Sequence, residues 1–338
     1  MVKVFLVRLI IILYHIGGLK MHILVTGANG FVGSNLVKTL LKDEHALAGF
    51  SRLTLMDLNF TEQVDDSRVV YLAGDFADPA LTEQALTIPA DVVFHLASIP
   101  GGMAENNYEL SRKVNVDATL FLFEQLKQQA NTPRLVFAST IAVYGADLPE
   151  QITDDTPLRP HLTYAGQKQF GEILIEDFSR KGWTDGIAVR LPGIVARPQQ
   201  QTSGLLSAFM SDVFWNLSEQ RPFHCPVSEQ AVAWWMSVFC CVNNLIHAAT
   251  LPKETLATGR RAFALPVLRL TMHQVIAGLA QKFQLDTTTL VSFDNSNIEL
   301  ERNFGAYPEI VTQRADELGF QHDGSVKQLI SHTLQTKV

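Results

Sequence analysis

Short hydrophobic runs alternate along the chain with longer stretches in which hydrophobic residues recur every three or four positions. Runs of this length predict buried β-strands, and the longer spacing predicts amphipathic helices. The predicted strands are residues 22–26, 52–57, 68–72, 91–95, 134–138 and 186–191. The main predicted helices are residues 31–42, 79–86, 105–129 and 164–180. This alternation favours an α/β fold, a doubly wound parallel sheet with helices on both faces.

The pattern loosens after Pro198, where irregular segments rich in aromatic residues follow. We therefore predict a doubly wound domain over residues 21–195 and a smaller region over residues 196–338, of which some segments return to the sheet. Because open α/β sheets bind ligands at the carboxyl ends of their strands, the smaller region is expected to cover that edge and to bind the substrate.

The composition is that of a globular chain. Its 338 residues are 47% hydrophobic, enough for a sizeable core, and carry a formal net charge of −7. This negative balance argues against nucleic acid or an anionic membrane as a partner. The cysteines at 225, 240 and 241 have neither the spacing of a disulfide framework nor that of a metal site, so we predict reduced thiols, no metal and a cytoplasmic location.

Residues 1–20 form an apolar stretch with Lys3 and Arg8 on its N-terminal side. The hydrophobic run is too short to span a bilayer, and no cleavage site of small residues follows it. Met21 stands directly before the first predicted strand. We favour translation from an upstream start, which leaves this extension outside the fold. A weak membrane anchor and a genuine extension are the alternatives.

The first predicted strand runs into a turn at residues 27–33 that contains three glycines and opens the first predicted helix. In a dinucleotide site, Gly27 forms the tight turn, Gly30 lets the backbone approach a pyrophosphate, and Gly33 lets the helix pack on the strand. The helix N-terminus offers amide groups to phosphates. The remaining expected contacts of this turn are Asn29, Phe31 and Val32. A turn without a ligand is the alternative.

The second predicted strand ends on Asp57. A carboxylate at this place accepts hydrogen bonds from the ribose 2′-hydroxyl group of NAD and repels the 2′-phosphate of NADP. The sequence therefore predicts NAD as the cofactor. Because the spacing from the glycines is longer than usual, a solvated acid at a strand end is the alternative interpretation.

Tyr164 and Lys168 lie one turn apart on the same face of a predicted helix. A phenol with a pKa of about 10 is protonated at neutral pH, but a nearby ammonium group and an oxidised nicotinamide both favour the phenolate. Tyr164 would accept a proton from a substrate hydroxyl group while hydride leaves the carbon, and Thr140 would hydrogen-bond the same oxygen. Alone, such a pair more often marks an exposed helical face.

The order of these motifs identifies the chain as a member of the extended short-chain dehydrogenase/reductase superfamily, which includes NAD-dependent epimerases and dehydratases. The segment 135–145, with Thr140, separates the glycine turn from Tyr164 and Lys168. The resemblance covers nearly everything after residue 20 and implies a Rossmann-type fold. The same resemblance implies that Thr140, Tyr164 and Lys168 are catalytic. It also implies a homodimer joined through the helices that carry Asn115 and Tyr164. Further cofactor contacts implied by the resemblance are Asp75, Phe76, Leu96, Ala97, Ser98, Asn115, Pro192 and Gly193.

Stretches such as residues 95–99, 154–158, 190–192 and 195–198 resemble the D-erythronate dehydrogenase branch of this superfamily. That resemblance implies NAD-dependent oxidation of a four-carbon sugar acid. The carboxylate of such an acid needs a cation, and Arg197 is the candidate. A surface or sheet-end salt bridge is its alternative role. The other predicted substrate contacts are Ser98, Thr140 and Tyr164.

At two positions the sequence departs from the family pattern, so we expect a pocket of different shape. Gly193 stands where the family usually has a polar residue, and Gln199 stands where it has a glycine. A flexible turn at Gly101-Gly102 is expected to complete the small polar pocket.

Three functions stay open at this point. The first is oxidation of a small sugar acid, most simply D-erythronate to 2-dehydro-D-erythronate, with release of NADH. The second is a nucleotide-sugar epimerase or dehydratase, which would need cations for a diphosphate; Arg221, Arg260 and Arg261 are the obvious spare ones in the C-terminal region. The third is a non-catalytic NAD-binding protein, because a fold alone does not establish a function.

Overall fold

The computed structural model describes residues 21–43, 46–47, 49–199, 206–256 and 259–335. The predicted extension at residues 1–20 lies outside the described residues. The strands, in chain order, are β1 Met21–Thr26, β2 Phe50–Asp57, β3 Val69–Ala73, β4 Val92–His95, β5 Arg134–Thr140, β6 Gln151–Ile152, β7 Asp185–Leu191, β8 Gly193–Val195, β9 Phe223–Cys225, β10 Val232–Ser237, β11 Ala262–Ala264, β12 Leu268–Thr271, β13 Val291–Phe293 and β14 Glu309–Ile310.

Most of the α-helices lie in the connections between these strands. They are α1 Phe31–Lys42, α2 Pro79–Ala85, α3 Gly101–Asn106, α4 Tyr108–Arg112, α5 Thr119–Lys127, α6 Thr163–Arg180, α7 Phe209–Ser218, α8 Val238–Thr250, α9 Met272–Phe283, α10 Thr287–Leu290, α11 Ile298–Phe304, α12 Gln313–Glu317 and α13 Val326–Gln335. A π-helical stretch, Lys113–Ala118, joins α4 to α5, and 3-10 turns cover Ile141–Tyr144 and Lys253–Leu256.

The central sheet has seven strands in the order β11-β7-β5-β4-β1-β2-β3, all of them parallel. β1 lies inside the sheet, and later strands are added on both sides of it, so the predicted doubly wound fold is confirmed. Each of the six predicted strands lies within two residues of its predicted ends. The seventh strand, β11, returns to the sheet from the C-terminal part of the chain.

The long helix predicted over residues 105–129 is wrong in one respect, because the structure interrupts it at Asn107. This residue has a non-helical backbone (φ −140°, ψ 79°), and its side chain accepts a hydrogen bond from the Leu110 amide at 3.1 Å. Asparagine is a favoured N-cap, so it ends one helix and starts the next. The predicted flexible turn at Gly101-Gly102 instead forms the first turn of α3.

Both faces of the central sheet are covered by helices. On one face, α1 packs against α8 through side chains such as Leu36, Leu40 and Leu245. On the other face, α5 and α6 pack on the sheet through Phe123 and Ile175. Because parallel sheets bury both faces, the strands are hydrophobic throughout, which explains their unbroken apolar runs.

A second core lies in the C-terminal region, where β8, β10 and β12 form a small sheet. Trp234 and Trp235 are buried at 1% and 0% exposure, and each indole N–H donates to a backbone carbonyl group. The tryptophan pair therefore belongs to the core. Among the described residues, no helix combines the length and the apolar character that a bilayer crossing requires.

Candidate active site

The glycine turn between β1 and α1 leaves no room for side chains. Gly27 has φ +71°, and a Cβ atom there would lie 2.7 Å from the Ala97 backbone nitrogen. A Cβ atom on Gly33 would lie 2.0 Å from the Gly27 carbonyl oxygen. Gly30 is the N-cap of α1. The turn therefore holds bare backbone at a helix N-terminus, which is the cradle that a pyrophosphate group requires.

A cavity of about 630 Å³ opens at the carboxyl ends of the central strands. It collects most of the predicted site residues: Gly27, Gly30, Phe31, Val32, Gly33, Asp57, Asp75, Phe76, Leu96, Ala97, Ser98, Thr140, Tyr164, Lys168, Pro192, Gly193 and Arg197. Asn29 adjoins it through the backbone, because its amide donates to the Asp57 carboxylate at 2.8 Å. The motifs, which are up to 170 residues apart in sequence, therefore meet in one crevice.

Asp57 ends β2 at the rim of this cavity. One carboxylate oxygen accepts from the Asn29 amide and the other from the Leu58 amide, each at 2.8 Å. The two hydrogen bonds fix the orientation of the carboxylate, while its remaining lone pairs can accept from a ligand. Asp75 lines the same part of the cavity.

The loop after β4 is held from below by a buried chain of hydrogen bonds. The Ala97 amide donates to Thr26 Oγ1 at 3.3 Å, the Thr26 hydroxyl group lies 2.7 Å from His95 Nδ1, and His95 Nε2 lies 3.0 Å from Thr119 Oγ1. Burial, together with the charge of Lys168, lowers the pKa of His95 to about 3. His95 is therefore a neutral linker that fixes the loop position.

Asn115 supports the same loop from behind. Its carboxamide oxygen accepts from the Ile99 amide at 2.7 Å, and its nitrogen donates to the Ile99 carbonyl oxygen at 3.0 Å and to Gln167 Oε1 at 2.7 Å. Asn115 is 4% exposed. The structure therefore places this residue where it orients the loop and ties it to α6, the helix of Tyr164.

Lys168 lies one turn after Tyr164 on α6, and its side chain is buried. Its ammonium nitrogen is 4.8 Å from the centre of the Phe137 ring and 5.7 Å from the centre of the Tyr164 ring. Burial lowers the pKa of Lys168 to about 7. The protein without ligand can thus release or take up a proton at this position near neutral pH.

Tyr164 directs its phenol group into the cavity between Ser98 and Arg197. Burial raises the pKa of Tyr164, whereas the neighbouring Ser98 side chain and the positive charge of Arg197 act in the opposite direction. In the protein without cofactor, the phenol is therefore neutral at physiological pH. The lowering effect expected from Lys168 stays a prediction for the loaded enzyme.

Thr140 ends β5 at the cavity wall, and its hydroxyl oxygen accepts from the Ala142 amide at 3.2 Å. The residue before it, Ser139, donates to Glu172 at 2.5 Å. Glu172 also accepts two hydrogen bonds from Arg190, at 2.8 and 2.9 Å. This buried ion pair fixes β5, α6 and β7 relative to one another beneath Thr140, and it gives Arg190 a structural role.

Arg197 is held in the cavity wall by its backbone. Its amide donates to Ser211 Oγ at 2.9 Å, and its carbonyl oxygen accepts from the Trp215 indole at 2.6 Å. Its guanidinium carbon lies 5.2 Å from the centre of the Phe31 ring. Burial lowers the pKa of Arg197, and the ionisable groups that act against this are Tyr164 and Cys241. A partly buried cation of this kind is suited to an anionic ligand.

The model of the NAD-dependent epimerase/dehydratase family matches residues 23–231. The chain belongs to this family. It is 35% identical to the D-erythronate dehydrogenase of Cupriavidus necator, over 92% of this chain and 97% of that protein. It is 31% identical to the D-erythronate dehydrogenase of Haemophilus influenzae, over 93% of this chain and 99% of that protein.

A solved structure of the family has a similar fold over almost the whole chain. The nucleoside-diphosphate-sugar epimerase from Agrobacterium tumefaciens superposes with a TM-score of 0.87 at 30% identity, and the match covers 94% of each chain. Membership of this family implies a nicotinamide dinucleotide as cofactor. The bare-backbone turn of Gly27 and Gly33 and the oriented Asp57 carboxylate fit such a group.

Gly193, where the family usually has a polar side chain, has a steric explanation. A Cβ atom at this position would lie 2.6 Å from Met210 Cε and 2.9 Å from the Trp234 carbonyl oxygen. Met210, on α7, fills the space and lines the cavity. A side chain at residue 193 would therefore displace Met210, so the two positions shape this wall of the pocket together.

Several residues that support the site were missed by sequence reasoning. Phe137 lies in the segment 135–145, but nothing in that motif indicates its contact with Lys168, and the role of Glu172 on α6 depends on Arg190 from β7. Met210 lies outside every motif. The available signal was Arg190, because it interrupts the apolar run of β7, where an unpaired charge is rare.

Proposed function

We propose that this protein oxidises D-erythronate at C2 to 2-dehydro-D-erythronate with NAD. The proposal depends above all on one observation: the Tyr164 phenol, the Lys168 ammonium group and the Arg197 guanidinium group line the same cavity at the sheet edge. A proton acceptor beside an anion-binding group suits a hydroxy acid. The near full-length similarity to two D-erythronate dehydrogenases supports the choice of acid.

The residues divide the reaction between them. Arg197 binds the substrate carboxylate, and Ser98 and Thr140 orient the hydroxyl group at C2 towards Tyr164. As the C2–H bond breaks, Tyr164 takes the proton of that hydroxyl group and the carbonyl group forms. The nicotinamide, when bound, supplies the hydride acceptor. Lys168 binds the nicotinamide ribose and favours the phenolate form of Tyr164 by its charge.

NAD is the preferred cofactor because of Asp57. Its fixed carboxylate can accept from a ribose 2′-hydroxyl group but repels a 2′-phosphate. The residues that follow, Leu58 and Asn59, bring no positive charge that would compensate for that repulsion.

Nucleotide-sugar epimerisation is the second candidate, favoured by the likeness to the Agrobacterium tumefaciens epimerase. Such an enzyme oxidises and re-reduces one substrate, so NADH does not accumulate. The charges of Arg260 and Arg261 are engaged elsewhere, by Asp155 and by Asp185, and Arg221 pairs with Glu219. The three arginines are therefore less suited to a diphosphate than sequence alone allowed.

The test is to mix the purified protein with NAD and a panel of aldonates, and separately with UDP-sugars. NADH formation with D-erythronate, and with no other acid at a comparable kcat/KM, is the expected result. Interconversion of a UDP-sugar without NADH release would replace the proposal with epimerisation. NAD binding without any turnover on either panel would favour a non-catalytic NAD-binding protein.

We also propose a homodimer formed through α6, which carries Tyr164, and through the helical segment of Asn115, in which the stretch Lys113–Ala118 continues into α5. The apolar side chains of Leu120 and Ile173 on these helices are 37% and 60% exposed. Pairing of these faces in two copies would bury them. We expect light scattering to give a molar mass near twice that of the chain. A molar mass of one chain in Ile173→Lys would support this face as the dimer interface.

A further inference from the structure

The helix that carries Tyr164 is capped by a residue from another helix. The Thr163 amide, at the first position of α6, donates to Glu105 Oε1 at 2.5 Å, and the Thr163 hydroxyl group donates to Glu105 Oε2 at 3.3 Å. Glu105 is exposed and lies on α3, 58 residues earlier in the chain. The N-cap residue of α6, Leu162, has no side chain that could make such a bond.

A carboxylate is well suited to this place. The first amides of a helix lack partners within the helix, and the N-terminal end of the helix dipole attracts negative charge. Glu105 therefore stabilises the first turn of α6 in the position seen here. Because the amide that it binds belongs to Thr163, the fixed point is the residue directly before Tyr164.

The segment of residues 98–105, which ends at Glu105, approaches α6 at a second point. Ser98, at the other end of this segment, lines the cavity next to the Tyr164 phenol. Between these two ends, the Ile99 backbone is hydrogen-bonded to the Asn115 side chain. That side chain also donates to Gln167 on α6. Residues 98–105 are thus tied to α6 on both sides of the phenol, while Met103 in the same segment lines the cavity.

We propose that Glu105 is a positioning residue for the reaction, which holds α3 on the first turn of α6 so that Ser98 and the Tyr164 phenol keep their relative position. This inference rests on the proposed role of Tyr164 in proton transfer. Catalysis of this kind is sensitive to small displacements, since a misplacement of about 1 Å can lower the rate ~100-fold. Glu105 itself contacts neither substrate nor cofactor in this role.

The test compares three variants with the wild-type enzyme. Glu105→Ala removes the cap, whereas Glu105→Gln keeps one oxygen that can accept from the Thr163 amide. Glu109→Ala is the matched control, because Glu109 is exposed, lies four residues further on, and pairs only weakly with Arg112 at 3.4 Å.

We expect Glu105→Ala to lower kcat by about 10-fold or more. Its dissociation constant for NAD should change much less than kcat, because the glycine turn and Asp57 are untouched. Glu105→Gln should recover most of kcat, and Glu109→Ala should equal the wild type. A wild-type kcat in Glu105→Ala, with only a lower Tm, would overturn the proposal and leave Glu105 a structural cap.

Amide hydrogen exchange gives a readout that does not depend on the substrate. Exchange in the peptide that contains residues 162–166 should be faster in Glu105→Ala than in the wild type or in Glu109→Ala. Unchanged exchange there would contradict the contact itself. If the wild type oxidises no sugar acid, the proposed function fails, and the kcat comparison is then made on the UDP-sugar that it does convert, which uses the same Tyr164.

Discussion

The ammonium nitrogen of Lys168 lies 4.8 Å from the centre of the Phe137 ring, so a cationic side chain is buried against an aromatic face under the active-site cavity. The aromatic ring attracts the cation, but less strongly than water would. Burial therefore prevails and lowers the pKa of Lys168 from 10.5 to about 7. The protonation of this lysine couples the stability of the fold to pH.

The free energy of unfolding should rise with pH because of Lys168. Above pH 7 the folded protein releases the Lys168 proton, whereas the unfolded chain keeps it until about pH 10.4. The unfolded state thus binds more protons in this window, and stability increases with pH by about 1.4 kcal/mol per pH unit at most. Lys168→Met should lose this rise, measured by urea unfolding at neutral and alkaline pH without cofactor.

The exposed Lys38→Met variant is the control for the loss of one lysine charge. It should keep the pH dependence of the wild type. If Lys168→Met also kept it, another group would have to bind the proton.

Replacement of Arg197 by glutamine should weaken the binding of the acid. The guanidinium group supplies charge-assisted hydrogen bonds, so we expect KM for the acid to rise about 10- to 100-fold. The KM of Arg197→Lys should lie between those of the wild type and Arg197→Gln, because lysine keeps the charge but lacks the planar guanidinium group. Steady-state kinetics checks both, and Arg221→Gln, whose ion pair with Glu219 is exposed, should have a wild-type KM. An unchanged KM in Arg197→Gln would argue against a role in carboxylate binding.

Asp57→Ala should reduce the preference for NAD. The variant loses the acceptor for the ribose 2′-hydroxyl group and the repulsion of a 2′-phosphate, so KM should rise for NAD and fall for NADP. We expect the ratio of kcat/KM values for the two cofactors to change by about 10-fold or more, which corresponds to ~1.4 kcal/mol. A ratio equal to that of the wild type would support the reading of Asp57 as a solvated strand-end acid.

Glu172→Gln should destabilise the protein, because it leaves the Arg190 guanidinium group buried without its counter-charge. Glu172 and Arg190 are 4% and 8% exposed. Removal of one partner of a buried pair costs about 3–5 kcal/mol, whereas replacement of both by hydrophobic residues is often close to neutral. Thermal unfolding should thus give a lower Tm for Glu172→Gln than for the double variant Glu172→Leu with Arg190→Met. The exposed Glu83→Gln should match the wild type.

Much of the site follows from sequence because its residues sit at strand ends. Asp57 and Thr140 end parallel strands, Gly27 and Ser98 come shortly after such strands, and parallel strands bring their carboxyl ends to one edge. Local spacing and the topology of the sheet were enough to predict that these positions meet. The Tyr164 and Lys168 pair was also predicted from local spacing, because residues four positions apart lie on the same face of a helix.

The supporting contacts could not be predicted in this way. The bond from Thr163 to Glu105 joins residues 58 positions apart, and the space that Met210 fills beside Gly193 depends on how α7 packs on β8. Such contacts depend on the packing of side chains from distant segments, which periodicity does not encode. The break at Asn107 was missed because a polar residue also fits the exposed side of a continuous helix, so hydrophobic spacing does not distinguish an N-cap there.

The amount of NADH formed from D-erythronate by the wild type and by Tyr164→Phe decides whether Tyr164 is the proton acceptor of a sugar-acid dehydrogenase. We expect one NADH for each D-erythronate consumed by the wild type. In Tyr164→Phe, turnover should fall by about 100- to 10,000-fold, because the proton acceptor is lost while NAD binding is retained. Wild-type turnover in Tyr164→Phe, or consumption of D-erythronate without NADH, would contradict the account.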